Sequence, residues 1–319
     1  MLYPKETNLK PEPDVIVPRL LGIIKAWAQR LGNEPLNSMK FNAWKSYVSK
    51  VLGNEAEATP ELYVRHALLY YTSVIMSARA IGYTDSIDRI LEGEPFFADA
   101  ILNFVEKDNF FDFLDRDSGF FAELDAELSR YDFGGAVQNE VFRLLYEDLI
   151  EPSERHDLGE FYTPAWLAKV LVDKALQKGD LVIDPACGSG TFIRAVMEKK
   201  LELGESPDEI AKSVIGFDIN PIAVALAKAN FLFYAKSIGA KFNIVPVFLA
   251  DSLMPSLETQ GNMFLHFDYS KEAIVINFGE IVPGAGEGVF YYNPNWQIDE
   301  LITYIKKLAM GVIEKDDEN

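Results

Sequence analysis

The chain has one cysteine, Cys187, and three histidines, His66, His156 and His266, in 319 residues. A single cysteine excludes an internal disulfide framework, and histidines so scattered give no zinc-ligand spacing. No metal site is read. Long apolar runs are missing too: charge interrupts each one well before the ~20 residues that a bilayer crossing needs. The opening "MLYPKETNLKPEPD" lacks the apolar core of a secretory signal. These absences point to a cytoplasmic protein with no membrane partner. Positive charge is also scarce. Thirty Lys and Arg face 49 Asp and Glu, a net charge of -19, which is wrong for a surface that wraps a phosphate backbone.

What is present is soluble material. The chain is 49% hydrophobic and 25% charged, enough for two domains or one large core. Residues 1–150 read as a helical domain. "PELYVRHALLYYTSVIMSARAIG" (60–82) starts on proline and stops at glycine, as a helix does. "FFADAILNFVEK" and "GGAVQNEVFRLLYEDLI" repeat helical spacing. The polar, proline-bearing "EPSERHDLGEFYTP" (151–164) is a linker or functional loop and opens a second domain, 151–319. There an amphipathic helix with Trp166, Leu167, Val170, Leu171 and Ala175 on one side leads into "LVIDPA", a buried strand. "SVIGFDIN" and "FNIVPVFLADSL" read as further strands. Helices "TFIRAVMEKKLEL" and "PIAVALAKANFLFYAKSIG" lie between them, the latter with one buried stripe of Ile222, Leu226, Ala229 and Phe233. Alternation of this kind means a parallel sheet in an α/β domain. Beyond 255 only short apolar pieces, a helix "DELITYIKKLAMG" and a frayed "EKDDEN" are expected.

The stretch "VIDPACGSGTF" (182–192) carries the chemistry. A strand running into glycines and then a helix lets backbone approach a ligand. The dinucleotide fingerprint is incomplete, since Ile193 takes the third glycine position, and no Lys follows as a phosphate loop requires. Asp184 ahead of the glycines suits a ligand with a positive amino group or sulfonium. Asp218, at the tip of the second strand, can accept both ribose hydroxyls of a nucleoside. Ile219 beside it offers an apolar surface to an adenine face, and Asp251 after the third strand can accept from an adenine amino group. Asn220 already suits the helix cap that Asp218 would otherwise supply, and Cys187 reads as a small loop residue rather than a nucleophile.

In this order "GEFYTP", "DPACGSGTF", "GFDINP" and "ADSL" resemble the cofactor motifs of amino-directed DNA methyltransferases of restriction–modification systems. The nearest resemblance is to the adenine-N6 methylase subunits of type I enzymes and to the fused type IIG enzymes. It covers about residues 130–255 strongly and the helical region more loosely. It implies a Rossmann-like S-adenosylmethionine-dependent methyltransferase sheet, incomplete here, preceded by a helical domain. It also implies S-adenosylmethionine as cofactor. Phe161, Tyr162 and Thr163 would line the methionine end. Asp184 and the backbone at Ala186, Gly188 and Gly190 would hold the amino acid part, Asp218 the ribose, Ile219 the adenine face and Asp251 the adenine amino group. The position of "GEFYTP" before the glycine loop resembles the DNA enzymes. Two other readings stand beside this one: a methyltransferase for protein amides or RNA, and an inactive cofactor-binding interaction module.

The family's catalytic motif, Asn, Asp or Ser followed by two prolines and an aromatic, is absent. Its Asn or Asp and a proline carbonyl would accept the target amine's hydrogens while the ring stacks on the flipped base. "NPNW" (293–296) has Asn295 in place of the second proline. No buried strand is expected before it, so it reads as a turn and the catalytic residues stay unassigned. The chain is thus expected to be the front part of a longer methyltransferase, inactive alone. Its DNA contacts would lie downstream of residue 319, with a specificity subunit or fused recognition domain as partner. Within the helical region a few phosphate contacts near Lys40, Arg79 or Arg89 stay open. No nuclease pattern is found: the Glu198-Lys199-Lys200 match falls on a helix, where a solvated face is expected.

Overall fold

The computed structural model describes residues 9–10, 12–32, 38–52, 58–99, 101, 103–105, 109–133, 141–151, 154–155 and 163–250, and three strands within 265–291. The first half is helical: α1 (Pro13–Leu31), α2 (Met39–Leu52), α3 (Pro60–Ala80), α4 (Ile87–Leu91), α5 (Glu94–Ala98), α6 (Gly119–Leu128) and α7 (Val141–Leu149). The expected long helix is α3. Pro60 sits in its first turn, Thr59 Oγ1 accepts from the Leu62 N–H, and the helix gives out just before Gly82 at φ 92°. Its side chains from Leu62 to Ala78 are buried almost without a break, because α1, α4, α6 and α7 pack around it.

One expected helix does not form whole. "FFADAILNFVEK" is helical only to Ala98; the Ile101 N–H then returns to the Phe96 carbonyl. Its apolar residues Phe96, Ile101, Phe104 and Val105 are buried all the same. Asn103 meanwhile pairs with Val245 at the entry to a strand, accepting from its N–H and donating to its carbonyl at 2.8 Å each. Helical spacing in the sequence here serves a turn instead. In the last expected helix, residues 134–140 lie outside the described residues and the remainder is α7.

The second half is the expected α/β unit. Strands β1 (Val182–Asp184), β2 (Val214–Asp218) and β3 (Val247–Leu249) are parallel in the order β1-β2-β3, with Val182 opposite Val214 and Asp218 opposite Leu249. Helix α8 (Ala165–Ala175) precedes β1; α9 (Thr191–Glu202) and α10 (Pro207–Lys212) join β1 to β2; α11 (Pro221–Ser237) joins β2 to β3. This is an incomplete Rossmann-like sheet preceded by helices. The stripe Ile222, Leu226, Ala229 and Phe233 of α11 is buried as expected. Burial extends round most of that helix, since α3 and α7 cover it on one side and β2 and β3 on the other. Each large apolar side chain so covered contributes about 1.5–3 kcal/mol.

Three burial expectations fail. Strand β1 is not buried: Leu181 and Ile183 are 51% and 52% exposed, because among the described residues only β2 pairs with it. In α8 the buried residues are Ala168 and Val172, which face α9, while Trp166, Val170 and Leu171 are exposed. Periodicity marks an apolar face without saying what covers it. Lys200 is no part of a solvated face either. It is 0% exposed, donates to the Asp180 carbonyl, and pairs with Glu205 at 3.1 Å. Glu205 also accepts from the Gly179 N–H, so this pair ties α9 to the turn entering β1.

Beyond residue 264, where only short apolar pieces were expected, β4 (Leu265–Asp268), β5 (Ala273–Asn277) and β6 (Glu287–Tyr291) form an antiparallel sheet in that order. A strand, β6, precedes "NPNW"; it belongs to this antiparallel ladder and not to the parallel sheet. "NPNW", "DELITYIKKLAMG" and "EKDDEN" lie outside the described residues. The helical and α/β parts share one buried core: Phe142 of α7 meets Phe233 of α11 with ring centroids 5.3 Å apart. No helix of the described residues is long and apolar enough to cross a membrane.

Candidate functional site

Asp184 ends β1 and Asp218 ends β2, so parallel pairing puts two carboxylates on neighbouring strand tips. The loop between β1 and α9 lies across β2. Its Cys187 N–H donates to the Phe217 carbonyl at 2.8 Å and its Gly188 N–H to Asp218 Oδ2 at 2.7 Å. Gly188 and Gly190 sit at φ 53° and 91°, the left-handed region that side chains with a Cβ avoid. A Cβ added to Gly216 of β2 would stand 2.5 Å from Ile193 Cδ1 and 3.0 Å from Cys187 Sγ. Strand β2 must be bare there for the loop to rest on it. The sequence reading passed over Gly216, although a glycine within a strand marks such close approach.

Four of the loop's backbone donors are used within the fold. Besides Cys187 and Gly188, the Ala186 N–H donates to Asp184 Oδ1 at 3.3 Å and the Gly190 N–H to the Cys187 carbonyl at 2.9 Å. A phosphate cradle needs those N–H groups aimed outward. Here a ligand meets carboxylate and carbonyl oxygens, a set that suits donors and positive charge. Ala186, Gly188 and Gly190 thus act through loop shape rather than as free donors.

Burial raises the Asp184 pKa; the Ala186 N–H offsets part of this, and the Asp218 charge adds to the rise. Asp184 Oδ2 is buried without a hydrogen-bond partner. Burial likewise raises the Asp218 pKa, against the N–H groups of Asn220 and Gly188. Asp218 Oδ1 accepts from the Asn220 N–H at 2.9 Å, and Asn220 Oδ1 caps α11 by accepting from the Ile222 N–H at 3.0 Å. The cap is therefore Asn220, as expected, and Asp218 is left for other work. Cys187 is 6% exposed, and its thiol pKa is pushed well up by burial and then by the two carboxylates. It packs and is no nucleophile.

Ile219 is half-buried, and its carbonyl accepts from the Tyr47 hydroxyl of α2 at 2.9 Å. The Ala250 N–H donates to the Asp218 carbonyl at 2.9 Å, which brings the end of β3 beside β2's tip. Thr163 is half-buried ahead of α8. Phe161, Tyr162 and Asp251 lie outside the described residues, as does His156. Sequence reading missed Tyr47 and also Asn230, whose Nδ2 donates to the Ser189 carbonyl at 2.8 Å. The signal for Asn230 was an amide inside the apolar run "AKANFLF"; nothing local marked Tyr47. Among the described residues no cluster of three or more His, Cys, Asp or Glu could hold a metal ion.

The cations considered for DNA are engaged within the protein. Arg79 pairs with Asp125 at 2.7 Å, Arg89 with Asp85 and Glu94 at 2.5 Å, and Lys40 donates to the Asn109 carbonyl at 2.9 Å.

The family described as N-6 DNA Methylase matches residues 137–275. A type I restriction enzyme MjaIX methylase subunit of Methanocaldococcus jannaschii is 42% identical over 74 residues, which are 23% of this chain and 13% of that protein. The adenine-specific methyltransferase PglX of Streptomyces coelicolor is 31% identical over 147 residues, covering 38% of this chain and 12% of that protein. The matched stretches thus span about one-eighth of either relative. A modification subunit of a putative type I restriction enzyme from Vibrio vulnificus has a TM-score of 0.37 at 16% identity, covering 77% of this chain and 57% of that one. The fold reading rests on the strand order, not on that likeness.

Proposed function

We propose, from the match of residues 137–275 to the family described as N-6 DNA Methylase, that this chain is the helical (1–150) and cofactor-binding (151–319) part of an S-adenosylmethionine-dependent DNA adenine-N6 methyltransferase. It would serve a restriction–modification system in the cytoplasm, with DNA as substrate and a specificity subunit or fused recognition domain as partner. The observation that carries the reading is the carboxylate pair. Asp184 has a buried, unpartnered oxygen, and Asp218 stands on the adjacent strand tip. Between them lies a glycine loop whose Ala186, Cys187, Gly188 and Gly190 N–H groups are already used. That set fits a ligand with a positive amino group and a ribose diol better than a pyrophosphate.

The residues divide the work. Asp184 takes the amino group, removing a buried charge's lack of partner. Asp218 already accepts one N–H on each oxygen, and each oxygen keeps a second lone pair, so both can accept from ribose hydroxyls. Ile219 would face the adenine, Asp251 take its amino group, and Phe161, Tyr162 and Thr163 line the methionine end. Gly188, Gly190 and Gly216 keep the backbone low enough for the ligand to lie on it. When bound, the cofactor supplies an electrophilic methyl group on a sulfonium.

Isothermal titration calorimetry on the chain tests the reading. S-adenosylmethionine should bind, and Asp218→Ala should remove charge-assisted contacts worth on the order of 1.5–3 kcal/mol each. Unchanged affinity in that variant would refute the ribose role.

A further inference from the structure

We propose that Tyr47, in α2 of the helical part, is a positioning residue for the cofactor. Its hydroxyl holds the Ile219 peptide so that Asp218 and Ile219 are presented to the nucleoside. The assignment rests on the nucleoside reading of those two residues. Segment 218–220 is the short link from the end of β2 to α11. Within it the Asp218 carboxylate is held by the Gly188 and Asn220 N–H groups, and Asn220 by the Ile222 N–H. The Ile219 carbonyl accepts from the Tyr47 hydroxyl, 172 residues away in sequence, at 2.9 Å.

That hydroxyl is itself well placed. The Tyr47 ring packs against Phe110 with centroids 5.1 Å apart, and its α2 neighbours Trp44 and Val48 are buried in the helical core. A peptide plane pinned from a rigid core loses less entropy when a ligand orders it. The helical part grips the α/β part in a second place as well. Asn103 pairs with both backbone groups of Val245 just before β3, and its own carbonyl accepts from Lys228 of α11, 4% exposed, at 2.8 Å. The helical region therefore braces both strands and the helix that frame the nucleoside edge, and Tyr47 is the contact that touches the edge itself.

Calorimetry with S-adenosylmethionine and S-adenosylhomocysteine on the full chain, Tyr47→Phe and Asp218→Ala tests this. Phenylalanine keeps the ring and removes only the hydroxyl. Tyr47→Phe is expected to bind both ligands roughly two- to tenfold more weakly, the worth of one neutral hydrogen bond. The ¹⁵N–¹H resonance of the Asn220 amide, which adjoins the Ile219 carbonyl, should shift with it. Parent affinity in Tyr47→Phe, with binding lost in Asp218→Ala, would overturn the role of Tyr47 and leave the nucleoside reading standing. Absence of binding by the parent chain would overturn both. If Tyr47→Phe is poorly folded, p-aminophenylalanine at position 47 restores a donor. Failure of that variant to regain the parent affinity would equally overturn the proposal.

Discussion

Asp184 is a liability in the ligand-free protein. Its carboxylate is desolvated, has one oxygen without a partner and stands near a second acid. The folded pKa is raised, so the stability this group allows is full below the ordinary carboxylate range. It is lost as pH rises through the raised value. Asp184→Asn should therefore raise the thermal midpoint of the free chain by a few degrees near neutral pH. The gain should shrink as pH falls through the raised value toward the ordinary carboxylate range, as the parent carboxyl takes up its proton. The same variant should lose cofactor affinity, since an amide cannot offset a positive amino group. Scanning calorimetry across pH checks the first effect; a variant less stable than the parent at neutral pH would show that the carboxylate is not unfavourable there. At this scale the sequence said a good deal. Asp184, Asp218 and the Asn220 cap were readable from spacing, whereas Gly216's near-contacts with Ile193 and Cys187 depend on how the loop crosses β2.

Among elements, α3 is the clearest case of local sequence deciding structure, and it carries one costly residue. His66 is 1% exposed, with ring centroids of Trp44, Phe111 and Tyr146 at 5.8, 6.2 and 5.9 Å. Neither imidazole nitrogen has a hydrogen-bond partner. Burial pushes its pKa from 6.5 down to about 3, with the Arg65 charge adding to the fall. The folded pKa is depressed, so this contribution to stability is present above about pH 6.5 and is lost as pH falls toward about 3, where only the unfolded chain takes the proton. At full slope one such group costs about 1.4 kcal/mol per pH unit. Urea midpoints between pH 7 and about pH 4 should fall more steeply for the parent than for His66→Phe. Parallel curves would show that His66 charges inside the fold. Elsewhere element-scale reading reached its limit. The spacing of "FFADAILNFVEK" is helical, yet Asn103 is drawn off to Val245, a partner 142 residues away.

The whole molecule carries a net charge of -19, and among the described residues many of its cations are taken up by acids. Arg79, Arg89, Arg116, Arg143 and Lys199 are each ion-paired with neighbouring acids. Counterion release, the main source of affinity for a duplex, needs clustered free cations. Residues 1–319 alone should therefore bind duplex DNA no tighter than about 10⁻⁴ M at physiological salt, the weak end of non-specific binding. A gel-shift series on random and cognate duplexes checks this. Tight, sequence-dependent binding would place the recognition surface in the helical part and overturn the proposed division of labour.

Motif order and strand–helix alternation determined the fold class, the two acids at the strand tips and the long helices α3 and α11, because each depends on residues close together in the chain. Tertiary structure alone decided the rest. Which side of α8 is covered depends on α9, the exposure of β1 on its pairing with β2 alone among the described residues, and the burial of Lys200 on Glu205. The contact between Tyr47 and Ile219 joins residues far apart in sequence through packing of the helical part on the α/β part. A hydrogen bond between distant segments leaves no period or motif in the chain, since a tyrosine reads the same whether its hydroxyl faces water or a peptide.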